Sequence, residues 1–229
     1  MDNYKKNLKL LTENHVYSKE MEHDACGVGV IASTEGKKSR EIVEYGIEAL
    51  KAVWHRGAVD ADGKTGDGAG IHVEIPKDFF IEKIEVTGHD YDNSEICVGM
   101  IFLPRNDYSS QESCKTIVES ELTKNNFSIY GWRQVPVNPK ILGEKAFQTM
   151  PEIIQVLFKP NDSNLIDKDL ERKIYETRKK IENKAFELSL NDFYICSISS
   201  KSIIYKGLYL AQAISDFYLD LKDKRFISR

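Results

Sequence analysis

Residues 55–70 read HRGAVDADGKTGDGAG, and the fold of the chain turns on how this stretch is understood. Gly63, Gly66, Gly68 and Gly70 fall within eight residues, with Asp67 among them and Asp60 and Asp62 just before. Such a run invites a phosphate cradle. Yet GDGAG is neither G-x-G-x-x-G nor G-x-x-x-x-G-K-[ST], and it leads into IHVEIP rather than a helix. There Ile71, Val73 and Ile75 alternate with His72 and Glu74, the pattern of a half-buried strand closed by Pro76. No helix N-terminus follows that could meet an anion. The aspartates lack the spacing and the terminal glutamate of a calcium loop. The residues alone leave a tight turn built on left-handed glycines.

Working towards the N-terminus, residues 39–54 place Ile42, Val43, Ile47, Leu50, Val53 and Trp54 at helical spacing, and Gly57 is the expected C-terminal cap. His55 and Arg56 stand at that helix end. Trp54 and Trp132 are read as core residues. Residues 27–33, GVGVIAS, alternate valine with glycine and predict a strand whose glycines allow close approach. Cys26 stands at its mouth. A lone cysteine is most often a small buried hydrophobe, and the pair His23 and Cys26 lacks the further partners of a metal site.

Towards the C-terminus, residues 95–104, 127–137 and 152–160 predict strands. Ser109 and Glu112 resemble a capping box opening a helix through Leu122. Residues 169–188 form a charged helix with Leu170, Ile174, Arg178 and Ile181 on one stripe, and 159–164 a turn. Residues 193–207 predict a hairpin turning at Ser199–Lys201, and 208–221 a last helix. Strands arriving in pairs between helices define an α+β layered domain, not a βαβ alternation.

The 229 residues carry a net charge of −4 with both signs mixed, which argues against a nucleic-acid footprint or a polybasic membrane anchor. No apolar run approaches the roughly 20 residues of a membrane span. Residues 1–25 lack the apolar centre of a secretory signal. Cys26, Cys97, Cys114 and Cys196 show no zinc or iron–sulfur spacing, and such sparse thiols suggest a reducing, cytoplasmic setting.

Taken in order, EHDACGVGVIAS (22–33), GIEALKAVWHRGAVDADGKTGDGAGI (46–71), YGWRQVPVN (130–138), LGEKAFQTMPEIIQV (142–156) and YICSISSKSIIYKGL (194–208) resemble one family. That family is the N-terminal glutaminase domain of glutamate synthase large subunits, a class II glutamine amidotransferase and N-terminal-nucleophile hydrolase. The resemblance runs from Glu22 to about Arg229. It implies a four-layer αββα sandwich, here incomplete, with residues 1–25 a leader removed before Cys26. Residues 26–229 are then the N-terminal part of a type 2 glutamine amidotransferase domain.

Removal of the leader has a chemical logic. A free thiol has a pKa near 8.5 and an α-amino group one of roughly 7.7–8.0, so an N-terminal Cys26 carries its own general base. The resemblance makes Cys26 the nucleophile, with Gly27 leaving the following backbone unobstructed and Arg56 an active-site wall residue. The implied substrate is L-glutamine, split to glutamate and ammonia. The implied fate of the ammonia is 2-oxoglutarate in a downstream flavin domain. No cofactor is expected in this chain. FMN and an iron–sulfur cluster belong to downstream synthase domains, and a small reductase subunit is a possible partner; neither nucleic acid nor membrane is.

In the family an Arg-Phe-Ser-Thr-Asn stretch that grips the substrate carboxylate and a His-Asn-Gly-Glu stretch that forms the oxyanion hole come later than residue 229. Two other readings therefore stay open. One is a catalytically inactive fragment serving as an interaction module, the other an N-terminal-nucleophile hydrolase acting on a different amide.

Overall fold

The computed structural model describes residues 2–14 and 27–229, apart from the side chains of Asp2, Tyr4, Leu8, Leu11 and Arg56. A first helix, α1 (Asp2–Asn14), lies in the N-terminal stretch. The body holds two antiparallel sheets. The larger one joins β2 (Cys97–Leu103), β3 (Phe127–Gln134), β4 (Glu152–Pro160) and β5 (Tyr194–Ser199) in the order β3-β4-β2-β5. The smaller one pairs β1 (Ala69–Glu74) with β6 (Ser202–Gly207), from Ala69 opposite Gly207 to Glu74 opposite Ser202.

Successive strand residues point to opposite faces, and β2 uses both faces for packing. Cys97, Ile101 and Leu103 meet α4 (Tyr108–Lys124) and α6 (Asp167–Glu187) through Cys114, Val118, Leu122, Leu170, Ile174 and Ile181. Val98 and Met100 enter a second core with Ile203 and Tyr205 of β6, Val73 of β1, and Val43 and Ile47 of α2 (Arg40–Ala52). Phe79, Phe80 and Ile84 of α3 (Lys77–Val86) join them. Helices α4 and α6, the large sheet, the small sheet and α2 against β1 together make the expected α+β sandwich.

Between the sheets lies a buried polar network. Arg133 donates to both carboxylate oxygens of Asp220, at 2.7 and 2.8 Å, and to Gln155 Oε1 at 2.6 Å. The Tyr205 hydroxyl donates to Asp220 Oδ2 at 3.1 Å. A buried charge needs such partners.

Five expectations about secondary structure and helix caps change. Residues 27–33 are not a strand: among the described residues no partner strand pairs with them, and Val28 and Val30 are 89% and 85% exposed. Alternation makes a strand only where a buried face and a pairing edge receive it. Residues 193–207 are a corner between sheets, not a hairpin, because β5 pairs with β2 while β6 pairs with β1. Ser199 Oγ accepts from the amides of Lys201 and Ser202, and Glu171 accepts from the Ser200 amide, so the turn is satisfied without a strand ladder.

The final helix is broken into 3-10 turns at Ala211–Ala213 and Leu219–Lys222 around α7 (Ile214–Phe217). There the backbone bonds across the fold instead, with the Asn138 amide donating to Phe217 O and the Leu219 amide to Pro136 O. Helix α4 is capped by Asp107, whose carboxylate accepts from the Ser110 amide at 3.0 Å and the Ser110 hydroxyl, so Ser109 is not the cap. Gly57 is extended (φ −91°, ψ 147°), not left-handed.

Candidate active site

Helix α2 opens with Ser39 Oγ accepting from the Ile42 amide and ends at Val53. The chain then tightens into a 3-10 turn, Trp54–Arg56, closed by the Gly57 amide donating to Trp54 O at 3.1 Å. From there the glycine-rich stretch folds back on itself. Val59 bridges Gly66, the Asp60 amide donates to Thr65 O, and the Gly63 amide donates to Asp60 O. Gly63 (φ 69°) and Gly68 (φ 126°) hold backbone angles that favour glycine, as the turn reading requires. Gly66 is glycine for a different reason. A Cβ there would lie 2.6 Å from the Tyr209 carbonyl oxygen.

The loop walls a cavity of about 340 Å³, lined among others by Gly27, Trp54, Gly57, Asp67, Gly68 and Tyr209. The fold thus brings Gly27, the end of α2 and the glycine loop together. Cys26 and His23 lie outside the described residues, as does the Arg56 side chain. Gly27, the covalent neighbour of Cys26, is on the cavity wall, and Arg56 is the last residue of a turn whose flanking Trp54 and Gly57 line the same cavity.

Asp60 and Asp62 are turn builders. Asp62 accepts from the amides of Lys64 and Thr65 and from the Thr65 hydroxyl, at 2.9, 2.7 and 2.6 Å. Those bonds, the hydroxyl's first, hold its carboxyl well below the usual range. Asp60 is lowered by its ion pair with Lys145, 2.7 Å away. Among the described residues no group of three or more His, Cys, Asp or Glu is placed to hold a metal ion.

Cys97, Cys114 and Cys196 are all buried packing residues. Burial pushes the Cys114 and Cys196 thiols up to about 11 and raises the Cys97 thiol well above its ordinary value, which leaves them poor nucleophiles. Trp54 departs from its core reading, being 59% exposed on the cavity rim, whereas Trp132 is half-buried and donates Nε1–H to Glu119. Tyr209 was not anticipated as a wall residue. Its only sequence signal is its place two residues after the glycine that ends β6.

Two antiparallel sheets with flanking helices, and a glycine loop that walls a cavity one residue past a cysteine, define the class. The sequence model of the class-II glutamine amidotransferases matches residues 26–229, starting at that cysteine, and the chain belongs to this family. The glutamate synthase [NADPH] large chain of Azospirillum brasilense is 52% identical over 225 residues, which cover 98% of this chain and 15% of that protein. Ferredoxin-dependent glutamate synthase 1 of Arabidopsis thaliana is 40% identical over 209 residues, covering 90% of this chain and 13% of its own length. Ferredoxin-dependent glutamate synthase 2 of a Synechocystis species is 37% identical over 208 residues, with 90% and 13% covered. The chain therefore spans about one-seventh of the length of these relatives. No helix among the described residues is long and apolar enough to cross a membrane.

Proposed function

We propose that residues 26–229 are the nucleophile-bearing part of the glutaminase domain of a glutamate synthase large chain, and that residues 1–25 are a leader removed before Cys26. The freed α-amine of Cys26 takes the thiol proton, directly or through one water. The sulfur adds to the side-chain amide carbon of L-glutamine. The tetrahedral adduct expels ammonia, which takes up that proton, and leaves a γ-glutamyl thioester. Water then hydrolyses the thioester to glutamate and restores the thiol.

Gly27 admits the substrate beside the nucleophile, and Arg56 orders the end of the cavity. The ammonia passes to 2-oxoglutarate in a further part of the same polypeptide, in the cytoplasm. FMN, an iron–sulfur cluster and a small reductase subunit belong to that further part.

The observation that carries this reading is the family match beginning at Cys26, joined to a cavity on which Gly27 meets the glycine loop. Support also comes from the burial of the three other thiols. The test is the mature mass of the complete large chain, together with ammonia release from glutamine by the wild type and by Cys26→Ala. A start at Cys26 and loss of release by several orders of magnitude in the variant are expected. Full activity in a protein that retains residues 1–25 would sink the free-amine mechanism.

A further inference from the structure

Thr65 is 5% exposed, on a loop whose neighbouring residues Ala61, Asp62, Gly63 and Lys64 are exposed. Its hydroxyl makes two bonds that point in different directions. It donates to Asp62 Oδ2 at 2.6 Å and accepts from the Ala146 amide at 3.3 Å.

Ala146 is the third residue of α5 (Glu144–Gln148), and that amide is the one a capping side chain normally satisfies. The cap position of α5 is Gly143, which has no side chain to offer. Nor could it have one, because a Cβ at 143 would run into Asp62 and Thr65. Thr65 therefore caps α5 from across the fold, about eighty positions away in sequence.

A second fastening stands beside it, the ion pair of Lys145 with Asp60. On the other side of the loop Gly66 lies against the Tyr209 backbone. The loop is gripped between α5 and the chain leaving β6, and the next residues, Asp67 and Gly68, line the cavity.

We propose that Thr65 is a positioning residue for glutamine binding, its hydroxyl tying the cavity wall to α5. This rests on the function proposed above. The wall contacts substrate alike in the ground state and the transition state, so its loss acts on uniform binding and raises KM while sparing kcat.

The test is made in the complete large chain with glutamine as substrate, and thermal unfolding is followed in parallel. Thr65→Val, which keeps the shape and removes the hydroxyl, is expected to raise KM about tenfold with kcat within about threefold of wild type. Thr65→Ser restores the hydroxyl and is expected to bring KM back to within about twofold. Lys145→Met removes only the exposed ion pair, so it tests the same grip without threatening folding, with an expected KM rise of about two- to threefold.

A Thr65→Val protein with a lower Tm but unchanged KM would assign Thr65 to stability alone and overturn the proposal. So would a Thr65→Ser protein no better than Thr65→Val. If Thr65→Val does not fold, an unchanged KM in Lys145→Met overturns it. A wild type that does not hydrolyse glutamine is a separate outcome, seen before any variant is compared, and it defeats the functional reading itself.

Discussion

The two sheets of this molecule are built to different rules. In β2 six of seven residues are buried, and both faces are covered, one by α4 and α6 and the other by the second core. In β1 the exposed Gly70 and His72 alternate with Ile71 and Val73, which turn towards the core. The large sheet is a stability element, since burial of each large side chain is worth roughly 1.5–3 kcal/mol. The small sheet buries less, and the loop entering it walls the cavity. The more stable sheet and the candidate site are thereby separated, as expected where binding elements come from the less stable parts of a fold. What ties the two regions is the network of Arg133 and Gln155 on the large sheet, Tyr205 on the small one, and Asp220.

That tie is the place to break the comparison. Asp220→Ala leaves the Arg133 guanidinium, 11% exposed, without its carboxylate. Breaking a buried pair from one side costs about 3–5 kcal/mol. A double variant, Arg133→Met with Asp220→Leu, removes both charges and should recover most of that loss. Denaturant unfolding measures all three proteins. If single and double variants were equally unstable, packing rather than charge would be holding the sheets together.

A smaller effect sharpens the same boundary through pH. Arg225 holds the Asp223 carboxyl at about 2, below the unfolded value near 3.8, through bonds at 2.7 and 2.9 Å, and pairs with Glu82 of α3. A depressed carboxylate contributes stability that is present above its unfolded pKa and fades as pH falls through its folded one. The contribution should therefore be full above about pH 4 and lost towards pH 2. Solvent screening limits it to about 1 kcal/mol. Asp223→Asn is expected to flatten that part of the stability-versus-pH curve, and an unchanged slope between pH 4 and 2 would rule the pair out as an anchor of the C-terminal segment.

The large sheet was legible because its strands are short apolar runs bounded by turn residues, and α2 and α6 because their apolar positions recur at helical spacing. The β5–β6 corner was not, since alternation tells that a strand has a face but not which strand it pairs with. The last helix failed because the Asn138 amide donates to Phe217 O and the Leu219 amide to Pro136 O between distant segments, a choice that no local pattern encodes. Of the site, the glycine loop was visible as a turn. Its fastening was hidden, because Thr65 and Ala146 are about eighty positions apart and a capping partner is sought next to its helix. Cys26 and Arg56 enter as site positions by resemblance alone, and the cavity wall of Trp54, Asp67 and Tyr209 only from the fold.

The smallest expected effect concerns residues 27–33, where pattern and structure disagree. If GVGVIAS formed a strand of a packed sheet, Val28 and Val30 would share one face and be buried together, and serine at either would lose most of a buried valine and bury an unpaired hydroxyl. That would cost roughly 2 kcal/mol or more at each position. With both side chains more than four-fifths exposed, Val28→Ser and Val30→Ser should each change stability by no more than about 0.5 kcal/mol. The unfolding midpoint of the 229-residue chain is the measurement, and the two substitutions should add, since neither alters a packed contact. A loss of several kcal/mol at both positions would mean that the segment pairs with a sheet edge in solution, and the contrast between the sheets would then need a third strand on the smaller one.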